Sequence, residues 1–133
     1  MAFYRTREGA VTAADSFTAL GSLYGQSTTA AIQVPAGASQ IVGIMASVAS
    51  DSATNGATTF AVQLSGDGLS NGQETICIGS AGVVGTEVSN GMTNSTVNYD
   101  VAIPCVGSNQ VSVAVAMDTD IGALAASVTL VFA

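Results

Sequence analysis

The sequence contains no histidine, no lysine and no tryptophan. Charged residues of both signs together fill only 8% of its 133 positions, against roughly a quarter in an average soluble protein. Each shortage excludes something. Without histidine, a Ser-His-Asp relay cannot form within one chain. With two cysteines and no histidine, the usual zinc ligand sets are out of reach. Without lysine, the only basic side chains are Arg5 and Arg7, and the net charge is −7. A grip on nucleic acid needs several cations against phosphates, so direct genome binding is not expected. No stretch reaches the roughly 18 consecutive apolar residues of a membrane-spanning helix. The opening "MAFYRTREGA" has no apolar segment of the signal-peptide kind, and the chain is expected to be made and assembled in the cytoplasm.

What is present is apolar but mostly small. Hydrophobic residues make up 48% of the chain, with Ala and Val dominant. A chain this apolar and this low in charge density is not of the disordered kind. Its surface must be built largely from Ala, Ser, Thr, Gly, Asn and Gln. A freely diffusing domain usually shows roughly 25–35% charged residues on its surface. Such a charge-poor exterior suits burial against copies of the same chain, because interface cores are depleted in Lys, Glu and Asp.

Alternation with period two recurs along the chain, the mark of half-buried strands. In "STTAAIQVP", Ala30, Ile32 and Val34 share one side. In "SQIVGIMASVAS" the apolar side is Val42, Ile44, Ala46 and Val48. "TTFAVQLSG" sets Phe60, Val62 and Leu64 against Thr59, Ala61 and Gln63. "QETICIG" offers Ile76 and Ile78. "VNYDVAIPC" offers Tyr99, Val101, Ile103 and Cys105. "QVSVAVAMD" offers Val111, Val113, Val115 and Met117, and "ASVTLVFA" offers Val128, Leu130 and Phe132. Between these runs lie turn clusters such as "PAGAS", "SGDGLSNG", "SNGMTNS" and "VGSN", rich in residues that tolerate positive φ or bond their own backbone. Short strands punctuated this regularly predict an all-β domain, an antiparallel sandwich or barrel, over residues 27–133. Residues 1–26 hold Gly9, Gly21 and Gly25 and little alternation; they are expected to form an N-terminal arm with at most one extra strand.

Candidate sites are few. Cys77 and Cys105 could pair by count, but the alternation sends them to opposite faces unless Pro104 breaks it; two free thiols are the expectation. Asp67, Asp118 and Asp120 sit in turns. They lack the spacing of a calcium loop, so turn formation is their expected role and no metal or other cofactor is expected. No P-loop and no G-x-S-x-G elbow occurs, and no carboxylate pair shows a signal for acid–base work; the chain is not expected to be an enzyme. Asn94 opens an N-x-[ST] glycosylation triplet, expected in a loop. Phe3, Tyr4, Arg5 and Arg7 form a small basic-aromatic group. Set against an otherwise acidic chain, it reads either as an inter-subunit arm that reaches a neighbouring copy or as a frayed terminus.

In "IQVPAGASQIVGIMASV", "FAVQLSGDGLSNGQETICIG" and "NQVSVAVAMDTDIGALAASVTLVF", the succession of strands and polar turns resembles the single jelly-roll capsid and decoration proteins of tailless bacterial and archaeal viruses. The resemblance spans residues 27–133 and rests on pattern, without an invariant motif or catalytic residues to carry over. It implies an antiparallel β-sandwich, a single jelly roll of about eight strands, whose oligomers tile a virion shell while N-terminal arms lock neighbours. The implied partners are copies of itself and other virion proteins. With two arginines only, a decoration layer or a shell over an internal membrane fits better than a genome-lining coat. Two other functions share this texture: a cell-surface or extracellular filament subunit joined by strand exchange, and a carbohydrate-binding β-sandwich. The second would display exposed aromatics, and the tyrosines are Tyr4, Tyr24 and Tyr99 only.

Overall fold

A computed structural model of the chain describes residues 2–22, 30–50, 56–83, 93–118 and 124–133. The side chains of residues 22, 50, 56–57, 77–83, 93–97 and 124 are not among those described. Ten strands run through the described residues: β1 (Phe3–Val11), β2 (Thr18–Ala19), β3 (Gly21–Ser22), β4 (Ile32–Gln33), β5 (Gln40–Ser50), β6 (Gly56–Ser65), β7 (Gln73–Val83), β8 (Thr93–Pro104), β9 (Gln110–Met117) and β10 (Leu124–Phe132).

They form two antiparallel sheets, one ordered β3-β1-β10-β5-β8 and the other β2-β9-β6-β7, with β4 also pairing with β9. The chain passes from sheet to sheet as it proceeds: β5 lies in the first, β6 and β7 in the second, β8 returns to the first, β9 lies in the second and β10 in the first. That exchange is the double Greek key of a single jelly roll. The short strands β2 and β4 share one position, pairing through Thr18↔Val115 and Ile32↔Val111 along the same edge of β9.

Alternation explains the core. Phe60, Val62 and Leu64 of β6 and Val111, Val113, Val115 and Met117 of β9 face Ile44, Ala46 and Val48 of β5 and Val128, Leu130 and Phe132 of β10, all buried. Each large apolar side chain removed from water contributes about 1.5–3 kcal/mol. On β5 the expected inner residue Val42 is only half-buried and Ile41 is buried instead. The cause is a register shift against β10: Val131 pairs with Gly43 and the next residue, Phe132, with Ile41, so Val42 is an extra residue in β5. An extra residue in one strand reverses which side chains face inward beyond it.

Within residues 1–26, expected as an N-terminal arm with at most one extra strand, β1 is a long strand of the sandwich and β2 and β3 are short ones. β1 pairs with β10 along its whole length, from Phe3↔Phe132 to Val11↔Leu124. Its inner side reads Phe3, Arg5, Arg7, Gly9 and Val11. Phe3 packs against the core, Val11 is fully buried, and the two arginines lie between them. Asn94, expected in a loop, lies in β8 opposite Ala49.

Candidate functional site

Two surfaces stand out, and the first is the outer face of the second sheet. Its register places Ala114 between Ala19 of β2 and Gln63 of β6, with Thr75 of β7 beyond. Neighbouring rows add Ser112 and Ser65 with Gln73, and Ala116 with Ala61. None of these side chains ionises. They are half-buried or exposed in the isolated chain. On the outer face of the first sheet, Thr6 and Thr129 share a hydroxyl–hydroxyl hydrogen bond of 2.7 Å. A shallow groove of about 160 Å³ lies there between Met45, Ala46, Ser47, Asn98, Ser127 and Thr129.

The second surface is an open cleft of about 460 Å³ lined by Arg5, Arg7, Ala31, Gln33, Pro35, Ala36, Ser108 and Gln110. Three segments build it. Strand β1 presents both arginines from its inner side. The stretch around β4 is tied to β1 by Arg7, whose Nε donates to the Ala30 carbonyl at 2.8 Å and whose Nη2 donates to the Ala31 carbonyl at 3.0 Å. The β8–β9 turn is held against β4 because Ser108 N donates to Val34 O at 2.9 Å and Val34 N to Asn109 O at 2.8 Å. Ser108 has φ 70° in that turn. Beside it, a Cβ on Gly107 would stand 2.7 Å from the Ala36 carbonyl oxygen, so only glycine lets the two loops meet.

Electrostatically the cleft is unusual for this chain. It gathers both of its basic side chains. Arg7 also donates from Nη1 to its neighbour's carbonyl, Thr6 O, and Arg5 from Nη1 to Tyr4 O. Among the described residues neither has a carboxylate partner. Burial, and then the adjacent Arg5 charge, hold the Arg7 guanidinium below its ordinary value. Two guanidiniums, two side-chain amides and a hydroxyl make this a place to hold an anion. The sequence gives no sign of Gln33, Ser108 or Gln110 in this role, because distant segments supply them.

The remaining candidates have structural settings. Asp67 Oδ1 accepts from Gln110 N at 3.0 Å, and its carbonyl accepts from Asn109 Nδ2 at 3.1 Å; with Gly68 N donating to Gln110 O at 2.8 Å, the β6–β7 loop is clasped to the β8–β9 turn. Asp118 Oδ1 accepts from the Thr58 hydroxyl at 2.7 Å and from Thr59 N at 2.9 Å. That bond satisfies Thr58, a buried polar side chain. Cys105 is a buried free thiol, and burial pushes its pKa up. The side chains of Cys77 and Asn94, and all of Tyr24 and Asp120, lie outside the described residues. Tyr99, expected in the core, pairs with the buried Ile44 yet is 39% exposed, because β8 is the edge of its sheet. Tyr4 is 59% exposed on β1.

No protein-family model matches the sequence, and no curated protein matches it. Among solved structures, the C-terminal family 22 carbohydrate-binding module of Clostridium thermocellum Xyn10B is similar at 15% identity, over 97% of this chain and 85% of that one, with a TM-score of 0.43. The chain spans only 26% of a longer Xyn10B chain that contains CBM22-1 and GH10 modules. The capsid structure of Helicobacter pylori bacteriophage KHP30 is similar at 14% identity, over 100% of this chain and 94% of that one, with a TM-score of 0.41. The structure of infectious bursal disease virus strain Gx is similar at 15% identity, over 96% of this chain but 32% of that one, with a TM-score of 0.44. At these scores the jelly-roll assignment rests on the chain's own strand order and register.

Proposed function

We propose that this chain is a non-catalytic structural subunit whose copies pack side by side in a virion, as part of the shell or as a layer decorating it. The observation that carries this reading is the outer face of the second sheet, where Ala19, Ala61, Gln63, Thr75, Ser112, Ala114 and Ala116 present no ionised group. A sheet face left to water normally alternates polar, often charged, residues outward. A face of small uncharged side chains loses little on desolvation and lets a neighbour approach closely. The partners are copies of the same chain and other virion proteins. This reading includes no genome contact; the gathering of both cations in one cleft rather than along an exposed stripe supports leaving it out.

Negative-stain microscopy combined with sedimentation of the purified chain tests the proposal. Closed shells, capsomer-like rings or ordered oligomers are expected. A monodisperse monomer at concentrations far above those in the host cell, with no ordered oligomer at any salt or pH, refutes it.

A further inference from the structure

We infer that the Arg5–Arg7 cleft is a binding site for a small hydroxylated carboxylate, of the hydroxy-acid or sugar-acid class. Arg5 grips the carboxylate, and Gln33, Ser108 and Gln110 read the ligand's hydroxyls. The inference stands apart from the proposed self-assembly and needs only the folded chain.

The hydrogen bonds divide the work between the arginines. A guanidinium has five N–H donors and meets a carboxylate best through two parallel ones. Arg7 spends Nε on Ala30 O, Nη2 on Ala31 O and Nη1 on Thr6 O. It is fixed in place, so its charge is held ready with little further ordering. Arg5 spends only Nη1, on Tyr4 O. Its Nε and Nη2 keep their hydrogens, which leaves one complete fork for a ligand. Two neighbouring cations without a counter-charge repel one another, and an anion between them removes that repulsion.

No acid of the described residues fills the fork. Alternation sends Glu8 to the outer side of β1. Asp67 accepts from Gln110 N, Glu74 from Asn71 and Asp118 from Thr58, and none of the three lines the cleft. Asp15 is exposed, but its N donates to Met117 O, and the 8-residue strand β9 sets that end about 20 Å from Gln110. Asp100 lies on the outer face of β8, at the opposite edge of the sheet. Residues 23–29, which lead towards the β4 segment, lie outside the described residues and carry no acidic side chain in the sequence.

The other cleft groups select the class of anion. Phosphate sites draw heavily on backbone N–H groups. Here Val34 N is spent on Asn109 O, Ser108 N on Val34 O, Asn109 N on Val106 O and Gln110 N on Asp67 Oδ1, and Pro35 has none. What remains is side-chain chemistry. Gln33 Nε2 donates to Ser108 O at 3.4 Å, which leaves its Oε1 as an acceptor. The Gln110 amide and the Ser108 hydroxyl have no partner among the described residues. Amides and hydroxyls both donate and accept. A ligand hydroxyl does the same and matches them, whereas the oxygens of a bare oxyanion would meet acceptors. A volume of about 460 Å³ is in the range of small-molecule sites, with room for a ring or short chain beside the carboxylate. Inward-pointing charges near a sheet edge can also act alone, by blocking sheet extension; that role needs no ligand.

The test is calorimetric titration of the purified chain with glucuronate, acetate, glucose and inorganic phosphate at one ionic strength, with thermal melting as the control for folding. Glucuronate should bind in the millimolar range, about tenfold or more tighter than acetate or phosphate, and should move the Arg5 Nε–H resonance. Glucose should be silent. Arg5→Gln should weaken glucuronate binding about tenfold or more, and so should Arg5→Lys, because an ammonium keeps the charge but has no planar fork. Gln110→Leu should weaken glucuronate about fivefold and leave acetate within about twofold. Phosphate binding as tight as glucuronate overturns the carboxylate class. Acetate as tight as glucuronate overturns the reading of hydroxyls. Binding unchanged in Arg5→Gln overturns the site itself, and a chain that binds none of the four overturns the inference in favour of the edge-blocking role.

Discussion

Ala114 is the position at which burial of the second sheet's outer face can be tested most directly. It lies on β9 with Ala19 on one side and Gln63 on the other, in the middle of the uncharged face. We predict that Ala114→Lys and Ala114→Glu both abolish ordered assembly while leaving the folded domain intact. Moving an ionised group from water into a closed interface without a partner costs several kcal/mol. Lysine recovers part of this by extending its stem to the rim, so a penalty of about 3 kcal/mol per contact is a fair lower figure, or more than a hundredfold in association constant. The side chain points away from the core, so the isolated domain should change by about 0.5 kcal/mol or less, a melting shift of about 2 °C.

Comparing the two signs separates burial from simple charge repulsion. The parent chain carries −7; the lysine variant carries −6 and the glutamate variant −8. If long-range repulsion between acidic subunits governed association, lysine would strengthen it and glutamate would weaken it. Burial of the face predicts that both weaken it by similar factors, with little dependence on salt. Sedimentation velocity at low and high salt provides the measurement. An Ala114→Lys chain that assembles as well as or better than the parent refutes the claim that this face is covered.

Three further outcomes concern the fold. Gly68→Ala should destabilise the domain by about 2–3 kcal/mol in urea unfolding, because its Cβ would meet Gln110 O and Val111 Cγ2 at 2.7 Å; Gly37→Ala, with nothing within 4 Å, should be near neutral. Asp118→Ala should cost about 1–2 kcal/mol by leaving the buried Thr58 hydroxyl without its 2.7 Å partner; Asp118→Asn, which keeps an acceptor oxygen, should recover most of it. Cys105 should resist iodoacetamide in the native chain and react on unfolding, as read by mass spectrometry of its peptide. Its raised folded pKa means that the unfolded thiol ionises first, so this residue's contribution to stability should be intact at neutral pH and decline as pH rises above the ordinary thiol range; Cys105→Ala should lessen that alkaline loss.

Much of the sandwich is legible in the sequence because its central strands obey strict alternation. β6, β9 and β10 are recognisable from Phe60-Val62-Leu64, Val111-Val113-Val115-Met117 and Val128-Leu130-Phe132, and all of these are buried. What alternation cannot reveal is a break in its own period: relative to β10, the extra residue at Val42 hands the inner position to Ile41, and no local composition announces it. β1 is hidden for a different reason. Its inner side carries Arg5, Arg7 and Gly9 where apolar residues would be sought, so the strand reads as a polar arm until its pairing with β10 is seen. The cleft is less legible still. Arg5 and Arg7 draw attention by their rarity, but Gln33, Ser108 and Gln110 reach them only through the Val34–Ser108 and Val34–Asn109 backbone bonds.

The placement of β1 also bears on how copies could join. A filament linked by strand exchange would have to vacate the β1 position, replacing nine residue pairs that run from Phe3↔Phe132 to Val11↔Leu124. With that strand supplied in cis, the sheet already has its partner, and association through the outer faces and edges needs no prior unfolding. The same pairing imposes an order of events. β1 and β10 stand at opposite ends of the described chain, so the first sheet is complete only after the last strand has formed, a long-range closure of the kind that slows folding. Both proposed surfaces depend on long-range closure. The cleft needs β1, the β4 segment and the β8–β9 turn together; the uncharged face needs Ala19, Gln63, Thr75 and Ala114 brought into one row. Neither surface exists on a partly folded chain. If copies assemble as proposed, a subunit built this way would become competent to do so only once its own sandwich is closed, which would keep a charge-poor β-protein from pairing its strands with those of its neighbours while they are still exposed.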